Sequence, residues 1–466
     1  MIHEYYADFI VENPDLFTLN LKYPKYRLFG NSPDAWDPST LQRATEGLVA
    51  SLLSLKKRPL IRYEKSSKLA RILASRVHSQ IVQDEKLFSF RIPDTPPILL
   101  ILDRRSDPLS PLLMQWTYQA MVHELLGIKN GRVDLSNVPD IRPELREVVL
   151  SQDQDPFFRN NMFMNFGDLG GNIKSYVEQY QSKTQSTANI DSVDDMKRFI
   201  EEYPEFRKLS GNVSKHVALV GELSRLVSRD SLLDASELEQ SLVCSDNHAA
   251  DQKNIQRVLQ MPSVPASNKL RLVALYALRY SRHPQSALPV LLDLLAAATD
   301  VRAPDISLIP SLLTYANSLT QSSTNTNPLG ELFESDTIFS AARSKFKGLK
   351  GVENVYTQHV PRLELLLQEL VKGRLKEQLF PFFEDGQATR DKPQDIIVFM
   401  VGGCTYEEAK SVATLNASLP GIRFVLGSTS VLNSSLFMEE MSEAVKPWPD
   451  QRAPTAAGRL RQELRN

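Results

Sequence analysis

The sequence has few cysteines, almost no net charge and no long hydrophobic run. Only two of its 466 residues are cysteines, which excludes a framework of disulfide bonds and favours a reducing compartment. Lysine and arginine number 54 against 56 aspartates and glutamates, a net charge of −2, which argues against a nucleic-acid binder. The longest apolar stretches, 396–404 and 288–298, are too short to span a bilayer. Because the first residues also lack the pattern of a secretory signal, we expect a soluble, cytoplasmic protein.

The usual motifs of cofactor, metal and nucleophile sites are missing as well. The glycine turn Gly402–Thr405 lacks the third glycine of a dinucleotide-binding motif, and there is no phosphate-binding P-loop. His123 and Glu124 begin like a zinc-protease motif, but Gly127 stands where the second histidine is required. No Gly-x-Ser-x-Gly sequence provides a nucleophile. We therefore predict no cofactor, no metal and no catalytic residue.

Hydrophobic periodicity predicts an α/β fold that is interrupted by helices. The apolar run Ile98–Leu102 is typical of a strand buried on both faces. Near the other end of the chain, Ile396–Val401, Tyr406–Leu415 and Arg423–Leu426 form the strand–helix–strand pattern of a parallel sheet. One such unit cannot bury both faces of a sheet, so we expect it to join the strand at 98–102. Apolar stripes at helical spacing fill the region between. The predicted fold is a discontinuous parallel-sheet α/β domain with a large, mainly helical insertion.

A cluster of charges directly follows the first buried strand. An α/β enzyme would use Asp103 and Asp107 as an acid/base pair at the carboxyl end of this strand, where such folds bind ligands. Alternatively, the acids pair with Arg104 and Arg105 and close a turn whose path the prolines fix. We favour the second interpretation because no histidine or lysine nearby completes an active site. Asp103, Arg104, Asp107 and Pro108 are thus predicted to form a structural signature turn.

The turn at Gly402 and Gly403 has the same two interpretations. It is either part of a ligand site or a tight connection in which Thr405 caps the following helix. Glu407 and Glu408 lie in the first turn of that helix, where they suit the helix dipole but would repel a phosphate. The sequence therefore favours the structural interpretation.

A helical hairpin is predicted from two apolar helices, Leu288–Ala298 and Leu308–Leu319, joined by a polar connection that contains Pro304. Such a tip presents a surface to a partner helix. The alternative is an ordinary solvated connection between two helices.

Five stretches of the sequence resemble the SM (Sec/Munc) family of SNARE regulators, and most closely its endosomal and trans-Golgi branch. They are Leu99–Pro108, Gln115–Ile128, Ser210–His216, Lys347–His359 and Pro393–Glu408. The matches follow the family's order and cover nearly the whole chain, so the protein is identified as a member.

The resemblance implies an arch-shaped, non-enzymatic and monomeric protein. Members of the family bind syntaxin-type Qa-SNAREs and assembled SNARE complexes, and they template SNARE assembly in transport between trans-Golgi, endosome and vacuole. Attachment to these membranes would be peripheral, through SNAREs. A helical hairpin of the inserted domain contacts R-SNAREs, and the residues that match its tip by position are Asp300, Arg302, Pro304, Asp305 and Leu308. The alternatives are an α/β enzyme or ligand-binding protein that uses the two turns, and a subunit of a tethering complex.

The resemblance also implies domain boundaries. Residues 1–32 would be a remnant of the family's first α/β domain, 33–112 and 386–445 the discontinuous α/β domain, and 113–385 the helical insertion, followed by a disordered tail at 446–466. Most of the first domain, about 100 residues at the usual domain size, would then be missing. Since that domain usually carries the pocket for the syntaxin N-terminal peptide, we do not expect this chain to bind the peptide tightly.

Overall fold

The structure is a computed structural model that describes residues 5–91, 93–188, 193–319, 355–384 and 393–449. Two compact units are present: unit 1 comprises Met1–Leu113 and Asp234–Asn466, and unit 2 comprises Met114–Leu233. The strands are β1 (Ile10–Asn13), β2 (Leu16–Thr18), β3 (Leu60–Tyr63), β4 (Ile98–Asp103), β5 (Arg132–Asp134), β6 (Glu147–Val149), β7 (Asp395–Val401) and β8 (Arg423–Ser428). The helices are α1 (Pro38–Leu55), α2 (Lys68–Gln83), α3 (Tyr118–Leu125), α4 (Pro156–Asn161), α5 (Phe166–Ala188), α6 (Val193–Arg229), α7 (Leu232–Cys244), α8 (His248–Leu259), α9 (Ala266–Tyr280), α10 (Leu288–Ala297), α11 (Ala303–Ile306), α12 (Leu308–Asn317), α13 (Arg362–Val371), α14 (Tyr406–Ser418) and α15 (Ser434–Val445).

Unit 1 contains a six-stranded sheet in the order β1-β2-β8-β7-β4-β3. All neighbouring strands are parallel except the β1–β2 pair. Strands β4 and β7 pair in the register Ile98↔Ile396 to Asp103↔Val401, which confirms that the C-terminal strand–helix–strand unit joins the early strand. Both strands are apolar along their length because helices or other core residues cover both faces of the sheet.

Local sequence signals place the helices beside this sheet. Helix α1 begins after Asp37, whose carboxylate accepts a hydrogen bond from the Thr40 N–H at 3.0 Å, and Pro38 occupies its first turn. Helix α2 begins after Ser67, which caps it in the same way.

Helices from the middle of the sequence share the hydrophobic core of the sheet. Tyr276 of α9 and Leu312 of α12 belong to the same buried cluster as Ile101 and Phe399 of the sheet. Trp448, which sequence analysis assigned to the tail, is also buried there and stacks on the Tyr315 ring, with 6.4 Å between the ring centroids.

The predicted domain boundaries stay a prediction. In unit 1 the segment 1–32 contributes β1 and β2 to the sheet, and β2 pairs with β8. Residues 347–354 of one family-like stretch and 450–466 of the predicted tail lie outside the described residues.

Unit 2 consists of helices around a small β-hairpin. Strands β5 and β6 pair antiparallel, with Val133 opposite Val148. Helices α5 and α6 pack against each other, and α3 packs against α6. The Ser210 hydroxyl of α6 donates to the Tyr180 hydroxyl of α5 at 3.3 Å. Both helices continue past this contact, which makes α5 and α6 a long antiparallel pair.

Candidate functional site

The charged turn after β4 is buried, and its charges are paired internally. Asp103 Oδ2 accepts hydrogen bonds from Arg105 Nη2 at 2.7 Å and from Ser67 Oγ at 2.5 Å. Burial alone would raise the pKa of the Asp103 carboxyl, but the Arg105 guanidinium and the Ser67 hydroxyl hold it below its usual value. Asp103 is therefore an ionised group that is fixed by its own neighbours.

Asp107 closes the second half of the turn. Its Oδ1 accepts from the backbone N–H groups of Leu109 and Ser110 at 3.2 and 3.1 Å, and its Oδ2 accepts from Ser110 Oγ at 2.6 Å. Burial opposes ionisation, but the Arg104 guanidinium and these donors lower the pKa of the Asp107 carboxyl. Pro108 is buried inside the turn. Both acids thus bond to internal partners, as expected for a structural turn.

Glu64 ties this turn to a distant part of the chain, and sequence analysis missed it. Its Oε1 accepts from Ser106 Oγ at 2.6 Å and from Arg362 Nη2 of α13 at 2.9 Å. Its Oε2 accepts from the Asp103 N–H at 3.1 Å. No sequence spacing connects residues so far apart, so only the fold reveals this link.

Arg104 connects the two turns that sequence analysis treated as separate candidates. Its Nη2 lies 2.5 Å from Glu408 Oε1, and both side chains are 0% exposed. Burial disfavours the charged guanidinium, but Glu408 and Asp107 raise the pKa of Arg104 above its usual value. Glu408 also forms a capping box with Thr405 at the start of α14, which confirms the predicted cap. The pair therefore joins the carboxyl ends of β4 and β7.

Gly402 and Gly403 allow the turn after β7 to lie close to Arg104 and Leu432. Both Gly402 and Gly403 have a φ of +93°, a region that residues with a side chain rarely adopt. A Cβ on Gly402 would lie 2.9 Å from the Arg104 Cβ, and one on Gly403 would lie 2.6 Å from the Leu432 Cγ. Burial raises the pKa of the neighbouring Cys404 thiol to about 12, so it stays protonated at neutral pH.

The predicted SNARE-binding tip has most of its charges paired within unit 1. Asp300 bonds Lys269 of α9 at 3.1 Å. Arg302 and Asp305 bond each other at 3.0 Å and cap the single turn of α11, and Arg302 hydrogen bonds lower the pKa of the Asp305 carboxyl. Pro304 is exposed, whereas Leu308 packs against the core. The structure brings the five predicted residues together in one exposed connection.

The two helices on either side of this tip lie within two residues of their predicted bounds, but they do not project together as a hairpin. Helices α10 and α12 have ten residues each, and both pack against α9. Their apolar stripes therefore bury against a third helix instead of forming a projecting pair.

A longer helical hairpin, missed in the sequence, lies in unit 2. Helices α5 and α6 contain 23 and 37 residues, which correspond to about 34 and 55 Å at 1.5 Å per residue. The polar segment between Gln181 and Asp195 resembles a loop in composition, yet α5 continues through it to Ala188. Its glutamine and lysine residues have good helix propensity, a signal that polarity obscured.

The family-like stretch Ser210–His216 anchors α6 through a buried network. His216 Nε2 lies 2.7 Å from Asp155 Oδ2, and His216 Nδ1 lies 2.7 Å from the Tyr118 hydroxyl. Lys215 pairs with the same carboxylate. Burial opposes ionisation of Asp155, but His216 and Lys215 hold the pKa of its carboxyl far below the usual value. Because Asp155 also caps α4, the network fixes α6 to the start of α4.

Two features are absent from the described part of the chain, a metal site and a membrane-spanning helix. Within it, no group of three histidine, cysteine, aspartate or glutamate side chains is arranged to hold a metal ion. No helix in the described ranges combines the length and the apolar character needed to cross a membrane.

Comparisons with known proteins agree with these features. The Sec1 family model matches residues 1–440. The chain belongs to the Sec1 family. Vacuolar protein sorting-associated protein 45 of Homo sapiens is 48% identical over 447 residues, which cover 94% of this chain and 75% of the human one. The protein of the same name from Schizosaccharomyces pombe is 46% identical over 445 residues, covering 94% and 77%.

Solved structures of Sec1-family proteins have the same fold. The SM protein Vps45 in complex with the Qa SNARE Tlg2 (1–310) matches with a TM-score of 0.86 and 63% identity, covering 95% of this chain and 76% of that one. The Unc18–syntaxin 1 complex from Monosiga brevicollis matches with a TM-score of 0.71 at 20% identity, covering 95% and 77%, and supports the fold alone. The predicted family and the predicted fold class are confirmed.

Proposed function

We propose that this Sec1-family protein binds a syntaxin-type Qa-SNARE and promotes SNARE assembly in transport between trans-Golgi, endosome and vacuole. The observation that carries the proposal is the similarity to Vps45 in its complex with the Qa SNARE Tlg2, at a TM-score of 0.86. The protein acts without catalysis, since the acids of its two turns bond internal partners. It acts as a monomer and reaches these membranes peripherally, through the SNAREs that it binds.

We expect SNARE helices to contact the α5–α6 hairpin. Recognition of an amphipathic helix needs apolar anchors over several turns, and α5 and α6 provide many more turns than α10 and α12. The tip at 300–308 is the second candidate, because Arg302 is 81% exposed there. On either surface, the α5–α6 hairpin or the tip at 300–308, we expect the bound helix to belong to an R-SNARE.

Calorimetric titration tests the function directly. The full chain is titrated with the cytosolic part of a Tlg2-type Qa-SNARE, with and without the N-terminal peptide of the SNARE. We expect binding that survives removal of the peptide. If a chain shown to be folded by circular dichroism gives no heat in either titration, the proposal is wrong.

Two variants locate the surface. Replacing residues 181–200 by a short Gly-Ser linker shortens both hairpin helices by about two turns and keeps the contact between Tyr180 and Ser210. Arg302→Ala changes the second candidate. We expect the shortened hairpin to weaken binding of an R-SNARE helix at least about tenfold and Arg302→Ala to leave that binding unchanged. The reverse result assigns the contact to the tip at 300–308.

A further inference from the structure

Unit 2 contains an open groove of about 620 Å³ that the SNARE proposal does not use. One wall is formed by β6 and the chain just before it, and the other wall by the middle of α6, from Arg207 to Lys215. The Asp155–Lys215 pair lies at its base. A strand on one side and a helix on the other is the geometry in which several peptide-binding domains hold an extended ligand.

Among the described residues, β6 pairs with no strand other than β5, so its far edge has no neighbouring strand there. The backbone hydrogen bonds of Arg146 and Leu150 to the β5 side show which residues of β6 face β5. Backbone groups alternate in direction along an antiparallel strand, so those of Glu147 and Val149 point away from β5. Lys215 Nζ donates to the Val149 carbonyl at 3.0 Å, which agrees with this direction. The Glu147 N–H, the Glu147 C=O and the Val149 N–H have no hydrogen-bond partner among the described residues.

The helical wall leaves room for a backbone to approach. Ser210, Gly211 and Ser214 line the groove on this side. A Cβ built on Gly211 meets no atom within 4 Å, so the space above it is open. Small side chains on the helix therefore allow an added strand to lie beside β6.

The charge left unpaired in the groove is positive. The acids that line it, Glu144, Glu147 and Asp155, each form an ion pair with a basic side chain. Arg207 and Lys208 are exposed and form no ion pair with any residue whose side chain the structure describes. An occupant with carboxylates near these two cations would be attracted to the groove.

We propose that this groove binds an extended acidic peptide segment of a partner protein, which adds to β6 as a third strand. The free groups of Glu147 and Val149 would bond the peptide backbone. Acidic side chains of the peptide would lie near Arg207 and Lys208. The groove borders α6 at residues 207–215, outside the residues 181–200 that the hairpin variant of the SNARE proposal replaces, so different variants test the two proposals.

Fluorescence anisotropy with three labelled peptides tests the mode of binding. The first is a nine-residue peptide of alternating valine and glutamate. The second has the same sequence with alternate amides N-methylated, and the third has lysine in place of glutamate. We expect N-methylation to weaken binding at least about tenfold, because it removes the donors that pair with a strand edge, and the lysine peptide not to bind. Equal binding of the first two peptides would overturn the strand-addition geometry, and no binding of the first would overturn the proposal.

A matched pair of glycine variants tests the location. Gly211→Phe fills the groove, whereas Gly221→Phe places the same ring at another exposed position of α6 that also has no atom within 4 Å. Gly211→Phe should lose binding of the valine–glutamate peptide and Gly221→Phe should keep it, while the two variants have equal melting temperatures. Arg207→Glu combined with Lys208→Glu should weaken binding at least about tenfold. Unchanged binding to a folded Gly211→Phe chain would show that the peptide binds elsewhere.

Discussion

Replacing Glu408 by glutamine tests whether the buried pair with Arg104 stabilises unit 1. Both side chains are 0% exposed, with 2.5 Å between Arg104 Nη2 and Glu408 Oε1. Glutamine keeps the size of the side chain and an oxygen that can accept from the Thr405 N–H, but it removes the charge. Loss of one partner of a buried ion pair costs about 3–5 kcal/mol. Because Asp107 also raises the pKa of Arg104 and still attracts it, we expect the lower value, about 3 kcal/mol.

Urea denaturation followed by tryptophan fluorescence measures this loss. Of the three tryptophans, Trp36 and Trp448 are buried in unit 1, so a Trp116→Phe background makes the signal specific to that unit. Arg104→Met alone should also destabilise, because it leaves the Glu408 charge buried. The double variant leaves no unpaired charge, and we expect an interaction energy of about 2 kcal/mol or more in the double-mutant cycle.

The control is Glu407→Gln, one position earlier in the same helix. Glu407 pairs with Lys410, and both side chains are partly exposed, so its loss should change the free energy of unfolding by less than about 0.5 kcal/mol. If Glu408→Gln costs no more than this control, or if the two single losses simply add in the double variant, the reasoning about the buried pair is refuted.

Two further predictions concern unit 1. Burial raises the pKa of the Glu440 carboxyl to about 8, above its unfolded value of about 4.3. The stability contributed by proton binding to Glu440 is therefore fully present below about pH 4.3 and is lost as the pH rises to about 8. The melting temperature should fall between pH 6 and 8, and it should fall less in Glu440→Gln. If the melting temperatures of both proteins fall equally over this range, Glu440 is not the group responsible. Gly403→Ala should cost more than about 2 kcal/mol, because its φ is +93° and its Cβ would lie 2.6 Å from the Leu432 Cγ. Gly421→Ala, with a φ of +87° and no atom within 4 Å, should cost only about 1 kcal/mol, and equal losses in urea denaturation would show that crowding is unimportant.

Local signals were sufficient to predict much of the sheet. The apolar runs at 98–102 and 396–401 and the cap at Thr405 each depend on a few neighbouring residues, and the structure places all three as expected. The joining of the two ends of the chain followed from a burial requirement, since a single strand–helix–strand unit leaves one face of a sheet uncovered.

Long-range partners could not be predicted in this way. Glu408 is the partner of Arg104, 304 positions away in the sequence, and no periodicity connects the two. The apolar stripe of α12 predicted a helix, but not that α9 covers it. Composition is a poor guide in the α5–α6 hairpin, where a polar segment that resembles a loop continues α5 to Ala188.

The pairing of β4 with β7 has a consequence for biosynthesis. Ile98 lies opposite Ile396, so β4, an inner strand of the sheet, waits for a neighbour that is translated about 300 residues later. At 5–20 residues per second, that delay is about 15–60 s, and closing so long a segment costs about 5 kcal/mol of chain entropy. During this time β3 covers one edge of β4, while the other edge stays open and apolar. The nascent chain is thus most exposed to aggregation before β7 leaves the ribosome, and a holdase chaperone acting at that stage should raise the yield of folded protein.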